Sequence, residues 1–130
     1  MKAYIDSSAL VAILFNEPQS AHFRTFFQKH RKQVLSASLL EAEVFAAAKR
    51  EDIPLEEALG FIDLIALVFP DDSLQREYLK IFQKGYLRGA DAFHLAVALY
   101  LDPECQNLTF ITADHKQAQI AQSLGFKVIQ

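Results

Sequence analysis

Apolar residues occur in short runs that alternate with longer amphipathic segments along the whole chain. The runs predict strands at residues 2–5, 33–36, 66–69, 108–112 and 126–129. The segments between them predict helices at about residues 7–15, 20–31, 39–50, 55–65, 72–86, 90–101 and 115–124. Because short apolar strands alternate with helices, the pattern indicates an α/β fold with a parallel sheet covered on both faces.

Residues that favour turns and helix ends agree with this division. Ser38 followed by Glu41, and Asp114 followed by Gln117, have the spacing of a capping box at a helix N-terminus. Gly125 lies where a left-handed residue is expected to end the last helix. We find no internal repeat and no Gly- or Ser-rich linker, so we expect residues 1–130 to form one domain.

Composition narrows the class of protein. Apolar residues make up 52% of the 130 positions, which excludes a disordered chain. The single cysteine, Cys105, excludes an internal disulfide and a cysteine-based zinc site, so we expect a cytoplasmic protein. No apolar run approaches the ~20 residues that span a bilayer. A net charge of −3 argues against electrostatic coating of nucleic acid, but not against an enzyme that meets phosphates through a bound metal ion.

Carboxylates interrupt the apolar pattern where strands hand over to helices. Asp6 stands inside "AYIDSSALVAIL", and Asp114 follows the fourth predicted strand in "TFITADHKQ". The carboxyl ends of parallel strands share one edge of a sheet, where ligands of doubly wound folds bind. We therefore expect both side chains at that edge.

Two unusually apolar helices each carry polar exceptions near their N-termini. In "LLEAEVFAAAKR", Glu43 falls among Leu and Ala, whereas Glu41 lies about 160° away around the helix and suits the capping box. In "ADAFHLAVALYL", Asp91 and His94 lie about 60° apart in the first turn. An apolar helix that is polar only at its start presents that end to a ligand or to a polar partner.

Each acid taken alone has an ordinary structural interpretation. Asp6 and Asp114 suit helix N-caps, and Asp91 suits the positive end of a helix dipole. Glu43 is harder to explain, because Glu is rarely buried without a partner. Four carboxylates gathered at one edge would repel one another unless a divalent cation held them, and Mg²⁺ or Mn²⁺ prefers such oxygen ligands.

The segments "YIDSSALVAIL", "SASLLEAEVFAAAKR", "GADAFHLAVAL" and "FITADHKQAQIAQSLGFKVI" together resemble the motifs of the PIN domain. The resemblance is closest to the VapC-like toxins of prokaryotic type II toxin–antitoxin systems and covers essentially the whole chain. It implies a five-stranded parallel sheet flanked by about seven helices. It also implies an Mg²⁺- or Mn²⁺-dependent ribonuclease whose catalytic, metal-binding acids are Asp6, Glu43, Asp91 and Asp114.

The resemblance extends to supporting residues and partners. Ser7 and Ser8 match the small hydroxyl residues after the first acid, and Thr112 matches the threonine of the last motif; all three could orient carboxylates or waters. The family implies an RNA substrate, a cognate antitoxin protein and a homodimer. Its dimer and antitoxin contacts involve the helical region that carries Phe23, Phe26, Phe27, Phe61 and Ile65, although these residues also suit packed helices.

Two further residues keep two interpretations each. His94 could assist catalysis or could only orient a neighbouring carboxylate. Arg88, three residues before Asp91, could contact a phosphate or form a surface ion pair.

Other classes of protein account for less of the sequence. A receiver-like phosphoacceptor domain would use Asp71 and Asp72 after the third strand, but it needs an acidic pair after strand one and a Lys after strand five, and it leaves Glu43 unexplained. A housekeeping PIN nuclease, and a PIN-like module that binds RNA or protein without cutting, remain alternatives to a toxin. Loss of an acid would indicate the non-catalytic module, and all four acids are present.

Overall fold

The computed structural model describes residues 2–30 and 33–130. In this part of the chain, the strands are β1 (Lys2–Ile5), β2 (Val34–Ala37), β3 (Ala66–Val68), β4 (Leu108–Ile111) and β5 (Lys127–Ile129). The α-helices are α1 (Ser7–Leu14), α2 (Ala21–Lys29), α3 (Leu39–Arg50), α4 (Leu55–Ile62), α5 (Gln75–Lys84), α6 (Gly89–Leu101) and α7 (His115–Leu124). A short 3₁₀ turn, Pro18–Ser20, precedes α2. The α/β fold class, with five parallel strands and seven helices, is confirmed.

All strands pair in parallel, in the order β3-β2-β1-β4-β5. The chain winds from β1 outward to β3 on one side and then crosses to β4 and β5 on the other. The direction of winding therefore reverses between β1 and β4, which pair along their full length from Lys2–Leu108 to Ile5–Ile111. Crevices for ligands open beyond the carboxyl ends of strands at such a reversal. Asp6 and Asp114 follow the two strands that form it.

Successive side chains of each strand point to opposite faces of the sheet, and helices cover both faces. In β1, Ala3 and Ile5 pack with helices α1 to α4, whereas Tyr4 packs with α5 to α7 on the other face. The aromatic stripe of α2 and α4 belongs mainly to the first of these two cores: Phe23, Phe27 and Ile65 are buried, and Phe26 and Phe61 are half-buried.

Helices α3 and α7 and strand β1 have the bounds that the sequence predicts. Helices α1, α2, α4 and α5 end before their predicted last residues, whereas α6 ends at the predicted residue. Residue 31, the last of the helix predicted at 20–31, lies outside the described residues. The predicted capping box at Ser38 is wrong, because Ser38 has helical backbone angles, makes no side-chain cap and donates its N–H to Val68 O at 3.0 Å. The side-chain cap of Asp114 and the left-handed Gly125 (φ 111°) are confirmed, but the return bond of a capping box does not form, because the Asp114 N–H donates to Thr112 Oγ1.

Within residues 2–30 and 33–130, every helix is too short or too polar to cross a bilayer.

Candidate active site

Four chain segments bring carboxylates to the carboxyl edge of the sheet. Asp6 caps α1 directly after β1, and Asp114 caps α7 just after β4. Asp91 lies in the first turn of α6, and Glu43 lies near the start of α3, the helix that follows β2. Three of them meet at Gln117: its side-chain nitrogen lies 3.0 Å from Asp6 Oδ1 and 2.9 Å from the Asp91 backbone oxygen, and its backbone nitrogen lies 2.7 Å from Asp114 Oδ1.

The surroundings of Asp91 disfavour the ionised form of its carboxyl. Burial raises the pKa of the Asp91 carboxyl, and the negative charges of Asp6, Asp114 and Glu43 raise it further, while Arg88 acts in the opposite direction. Raised carboxylate pKa values are typical of acids that share a site and lack a counter-charge. In the described part of the chain, Asp6, Asp91 and Asp114 form no salt bridge with Lys or Arg.

Asp6 is both a helix cap and a member of this cluster. Its side chain is 1% exposed, and its Oδ2 accepts a hydrogen bond from the Ser8 N–H at 3.0 Å. Its Oδ1 accepts a second bond from the Gln117 side-chain amide at 3.0 Å. Both donors are neutral, so they stabilise the carboxylate without cancelling its charge.

Hydroxyl groups connect the ends of β1 and β4. Ser8 Oγ lies 3.1 Å from Thr112 Oγ1 and accepts from the Ala113 N–H at 3.0 Å. Thr112 Oγ1 also accepts from the Asp114 N–H at 3.0 Å. Ser8 and Thr112 thus position the Asp114 loop against Asp6. Ser7 is half-exposed and makes no side-chain hydrogen bond to the residues that the structure describes.

Glu43 is held by a buried histidine. His94 is fully buried; its Nε2 lies 2.5 Å from Glu43 Oε1, and its Nδ1 lies 2.7 Å from the Tyr4 hydroxyl. Burial alone lowers the pKa of His94, but the hydrogen bond to Glu43 and the charges of Asp6, Glu43 and Asp91 outweigh it and raise the pKa. An ionised Glu43 only accepts, so Nε2 carries the hydrogen. The orienting interpretation of His94 therefore fits its contacts.

Two residues at this edge belong to the site although the sequence did not predict it. Tyr4 is hidden in an ordinary apolar strand, yet its hydroxyl accepts from the Ala37 N–H at 3.1 Å as well as contacting His94. Gln117 donates its N–H to Asp114, as the predicted helix cap requires, but its side-chain amide donates to Asp6. Only the tertiary structure shows that Gln117 is buried, so the sequence carried no signal for this second role.

A cleft of about 150 Å³ opens beside the acids. Its walls include Asp91, Asp114, Tyr86, Arg88 and Lys116. The Lys116 ammonium lies 5.3 Å from the centre of the exposed Tyr86 ring. Arg88 is exposed and forms no ion pair with the other described residues, so the surface-pair interpretation finds no partner. Cations thus border an anionic centre.

The chemistry of the donors fits a hard divalent cation that keeps part of its water shell. Within residues 2–30 and 33–130, no three His, Cys, Asp or Glu side chains are grouped tightly enough to enclose an ion. Mg²⁺ is usually held by only one or two carboxylates together with waters and substrate phosphates. The carboxylates of Asp6, Asp91 and Asp114, which form no salt bridge with Lys or Arg in the described part of the chain, match that requirement.

Comparison with known proteins identifies relatives along nearly the full chain. The PIN domain family model matches residues 3–123. Ribonuclease VapC47 of Mycobacterium tuberculosis (strain CDC 1551 / Oshkosh) is 28% identical, with 95% of this chain and 92% of that protein covered. Ribonuclease VapC46 of M. tuberculosis (strain ATCC 25618 / H37Rv) is 31% identical, with 97% and 95% covered.

Solved structures share the fold. A chain of the DNA-bound VapBC complex from Salmonella typhimurium superimposes with a TM-score of 0.70 at 15% identity, over 99% of this chain and 97% of that one. A chain of VapBC-1 from nontypeable Haemophilus influenzae gives 0.66 at 15% identity, over 100% and 98%. Since the family match runs from the first strand into the last helix and excludes the receiver-like alternative, the chain belongs to the PIN domain family.

Proposed function

We propose that this protein is a divalent-metal-dependent endoribonuclease that hydrolyses RNA phosphodiester bonds. One observation carries the proposal: Asp6, Asp91 and Asp114 lie around Gln117 at the sheet reversal, and in the described part of the chain none of the three forms a salt bridge with Lys or Arg. The ribonuclease names of both VapC relatives support the same activity.

Asp6, Glu43, Asp91 and Asp114 together would form the site for Mg²⁺ or Mn²⁺, with one or two of them binding the ion directly and the others through its waters. Such an ion lowers the pKa of a bound water and stabilises negative charge on a phosphate under attack. The protein's own part is to fix the carboxylates: Ser8 and Gln117 restrain Asp6, the Gln117 N–H restrains Asp114, and His94 restrains Glu43.

RNA would reach the acids along the neighbouring cleft. Arg88 and Lys116 offer positive charge to backbone phosphates, which the net charge of −3 does not supply over the surface as a whole. Tyr86, 66% exposed, offers a ring on which a base of a single-stranded RNA can stack.

In the cell, we propose the role of toxin in a type II toxin–antitoxin pair, acting in the cytoplasm. The VapBC complexes that share the fold, and the two VapC relatives, support an antitoxin partner.

Exposed apolar side chains on α5, Leu79 and Phe82, together with Phe69, favour a further protein contact such as a homodimer. Light scattering of the purified protein tests the dimer, and a monomer at tens of micromolar would contradict it.

The activity is tested with Asp91→Asn, which preserves size and removes one charge. We expect Mg²⁺- or Mn²⁺-dependent cleavage of single-stranded RNA by the wild type, and none by Asp91→Asn or by wild type in excess EDTA. Glu41→Gln is the matched control and should cleave normally, because Glu41 lies on α3 but outside the cluster of acids. RNA binding without cleavage by the wild type would instead support the non-catalytic module.

A further inference from the structure

We infer that Gln117 is a positioning residue, which fixes the Asp6 carboxylate and ties the starts of α6 and α7 to the metal site. The inference rests on the proposed metal-dependent function. Gln117 is fully buried, although glutamine is usually exposed. It lies in the first turn of α7, where its N–H donates to Asp114 Oδ1 at 2.7 Å.

The contacts of the Gln117 amide determine its orientation. Nε2 lies 3.0 Å from Asp6 Oδ1 and 2.9 Å from the backbone oxygen of Asp91. Both of these atoms can only accept, so the amide nitrogen must face them and Oε1 must face Thr112. A flipped amide would place an oxygen against a carboxylate and a carbonyl.

The same reasoning assigns the neighbouring hydroxyl hydrogens. Gln117 Oε1 accepts, so the single hydroxyl hydrogen of Thr112 points to it. Ser8 must then donate its hydrogen to Thr112, while its own oxygen accepts from the Ala113 N–H. The network therefore runs in one direction, from Ser8 through Thr112 and Gln117 to Asp6.

This direction gives Gln117 a specific effect on the acids. Its two amide hydrogens are both directed at the site: one restrains Asp6, and the other holds the Asp91 backbone. The side chain thus sets the position of one acid directly and the start of α6, which carries another, through the main chain. Outer partners of metal ligands commonly contribute about 10- to 100-fold to metal affinity.

The test is Mn²⁺ binding to the folded protein, measured by the loss of the free-ion electron paramagnetic resonance signal. Gln117→Met removes both amide donors with little change in length. We expect its Kd for Mn²⁺ to rise about 10- to 100-fold. Gln119→Met, on the exposed face of the same helix, is the matched control and should bind Mn²⁺ like wild type.

A melting curve of each variant separates positioning from folding. A Gln117→Met protein that melts lower but binds Mn²⁺ with the wild-type Kd would overturn the inference. If Gln117→Met does not fold, Thr112→Val removes the hydroxyl partner of the amide and also the acceptor of the Asp114 N–H; Ser8→Ala, which disturbs the same loop without touching the amide, is its control. A Kd raised more in Thr112→Val than in Ser8→Ala would then support the inference, and equal Kd values would overturn it.

Cleavage assays give an independent readout. Raised Mn²⁺ should restore cleavage by Gln117→Met to near the wild-type maximum, because the four acids are intact. Failure to restore it would contradict a positioning role. Absence of Mn²⁺ binding by wild type would overturn the proposed function itself, and with it this inference, whereas equal binding by wild type and Gln117→Met would overturn the inference alone.

Discussion

Helix α6 carries an aspartate at each end, and the two aspartates have opposite environments. At the start of the helix, burial and three neighbouring carboxylates raise the pKa of Asp91. At its end, Asp102 accepts backbone hydrogen bonds from Gln106, Asn107 and Leu108 at 3.2, 2.9 and 2.9 Å. Burial alone raises the pKa of Asp102, but these three bonds outweigh it and lower the pKa.

The difference shows how one residue type is stabilised by backbone donors at one end of the sheet and repelled by neighbouring carboxylates at the other. Asp102 satisfies the N–H groups of the loop that leads into β4, so its charge stabilises the fold. Asp91 has charged neighbours of the same sign, so its ionised form destabilises the metal-free fold. Asp91 forms no salt bridge with the Lys and Arg residues that the structure describes, so its carboxylate is available to an external cation.

The largest expected effect is on stability and concerns Asp102, at the end of α6. Asp102→Ala should lower the free energy of unfolding by about 2–3 kcal/mol, because charge-assisted bonds to three backbone N–H groups are lost. Denaturant unfolding measures the change. Asp72→Ala is the matched control, since Asp72 is exposed and accepts one bond from the Tyr100 hydroxyl. Equal destabilisation by both would contradict the structural role of Asp102.

An intermediate effect is expected from the buried support of Glu43. Tyr4→Phe removes the hydroxyl that holds His94 Nδ1 and should lower kcat/KM for RNA cleavage about tenfold, the lower range for loss of an outer partner. The Ala37 N–H also loses its acceptor, so some stability is lost as well. Tyr78→Phe is the control, because Tyr78 makes no side-chain hydrogen bond among the described residues. Unchanged kcat/KM in a folded Tyr4→Phe protein would dissociate Tyr4 from the site.

The smallest expected effect has the opposite sign. In EDTA, Asp91→Asn should stabilise the protein by less than about 1 kcal/mol, because it removes repulsion at a site partly screened by solvent. Asp6→Asn should give no such gain, since its new NH₂ group would face one of two hydrogen-bond donors, the Gln117 amide or the Ser8 N–H. Melting curves in EDTA measure both. Destabilisation by Asp91→Asn would show that repulsion is not the dominant effect there.

The pH dependence separates the two aspartates further. The folded pKa of Asp91 is raised, so its cost is absent below the unfolded value of about 3.9 and grows as pH rises through the folded pKa. The gain from Asp91→Asn should therefore vanish as pH falls. The folded pKa of Asp102 is lowered, so its contribution is complete above about 3.9 and is lost as pH falls through the folded pKa. Unfolding free energies from pH 7 to 3 test both signs.

The sequence by itself determined the elements and the segments that carry the acids. Alternating apolar runs and helical periodicity depend on local geometry, so α3, α7 and β1 were predicted with their bounds. Asp6 and Asp114 were visible because a charge inside an apolar run is costly. The Asp114 cap was predictable because its partner, the Gln117 N–H, is three residues away.

Only the tertiary structure decided which distant groups meet. Strand order depends on how helices cover the sheet, and the pattern of one strand does not encode its neighbour. The predicted capping box at Ser38 does not form, because Ser38 has helical backbone angles and its N–H, which Glu41 would have accepted, donates to Val68 O instead. Gln117 and Tyr4 joined the site through partners that are 111 and 90 positions away, Asp6 and His94. A polar side chain has many possible partners in sequence, and packing selects one, because burial leaves no water to replace a missing hydrogen bond.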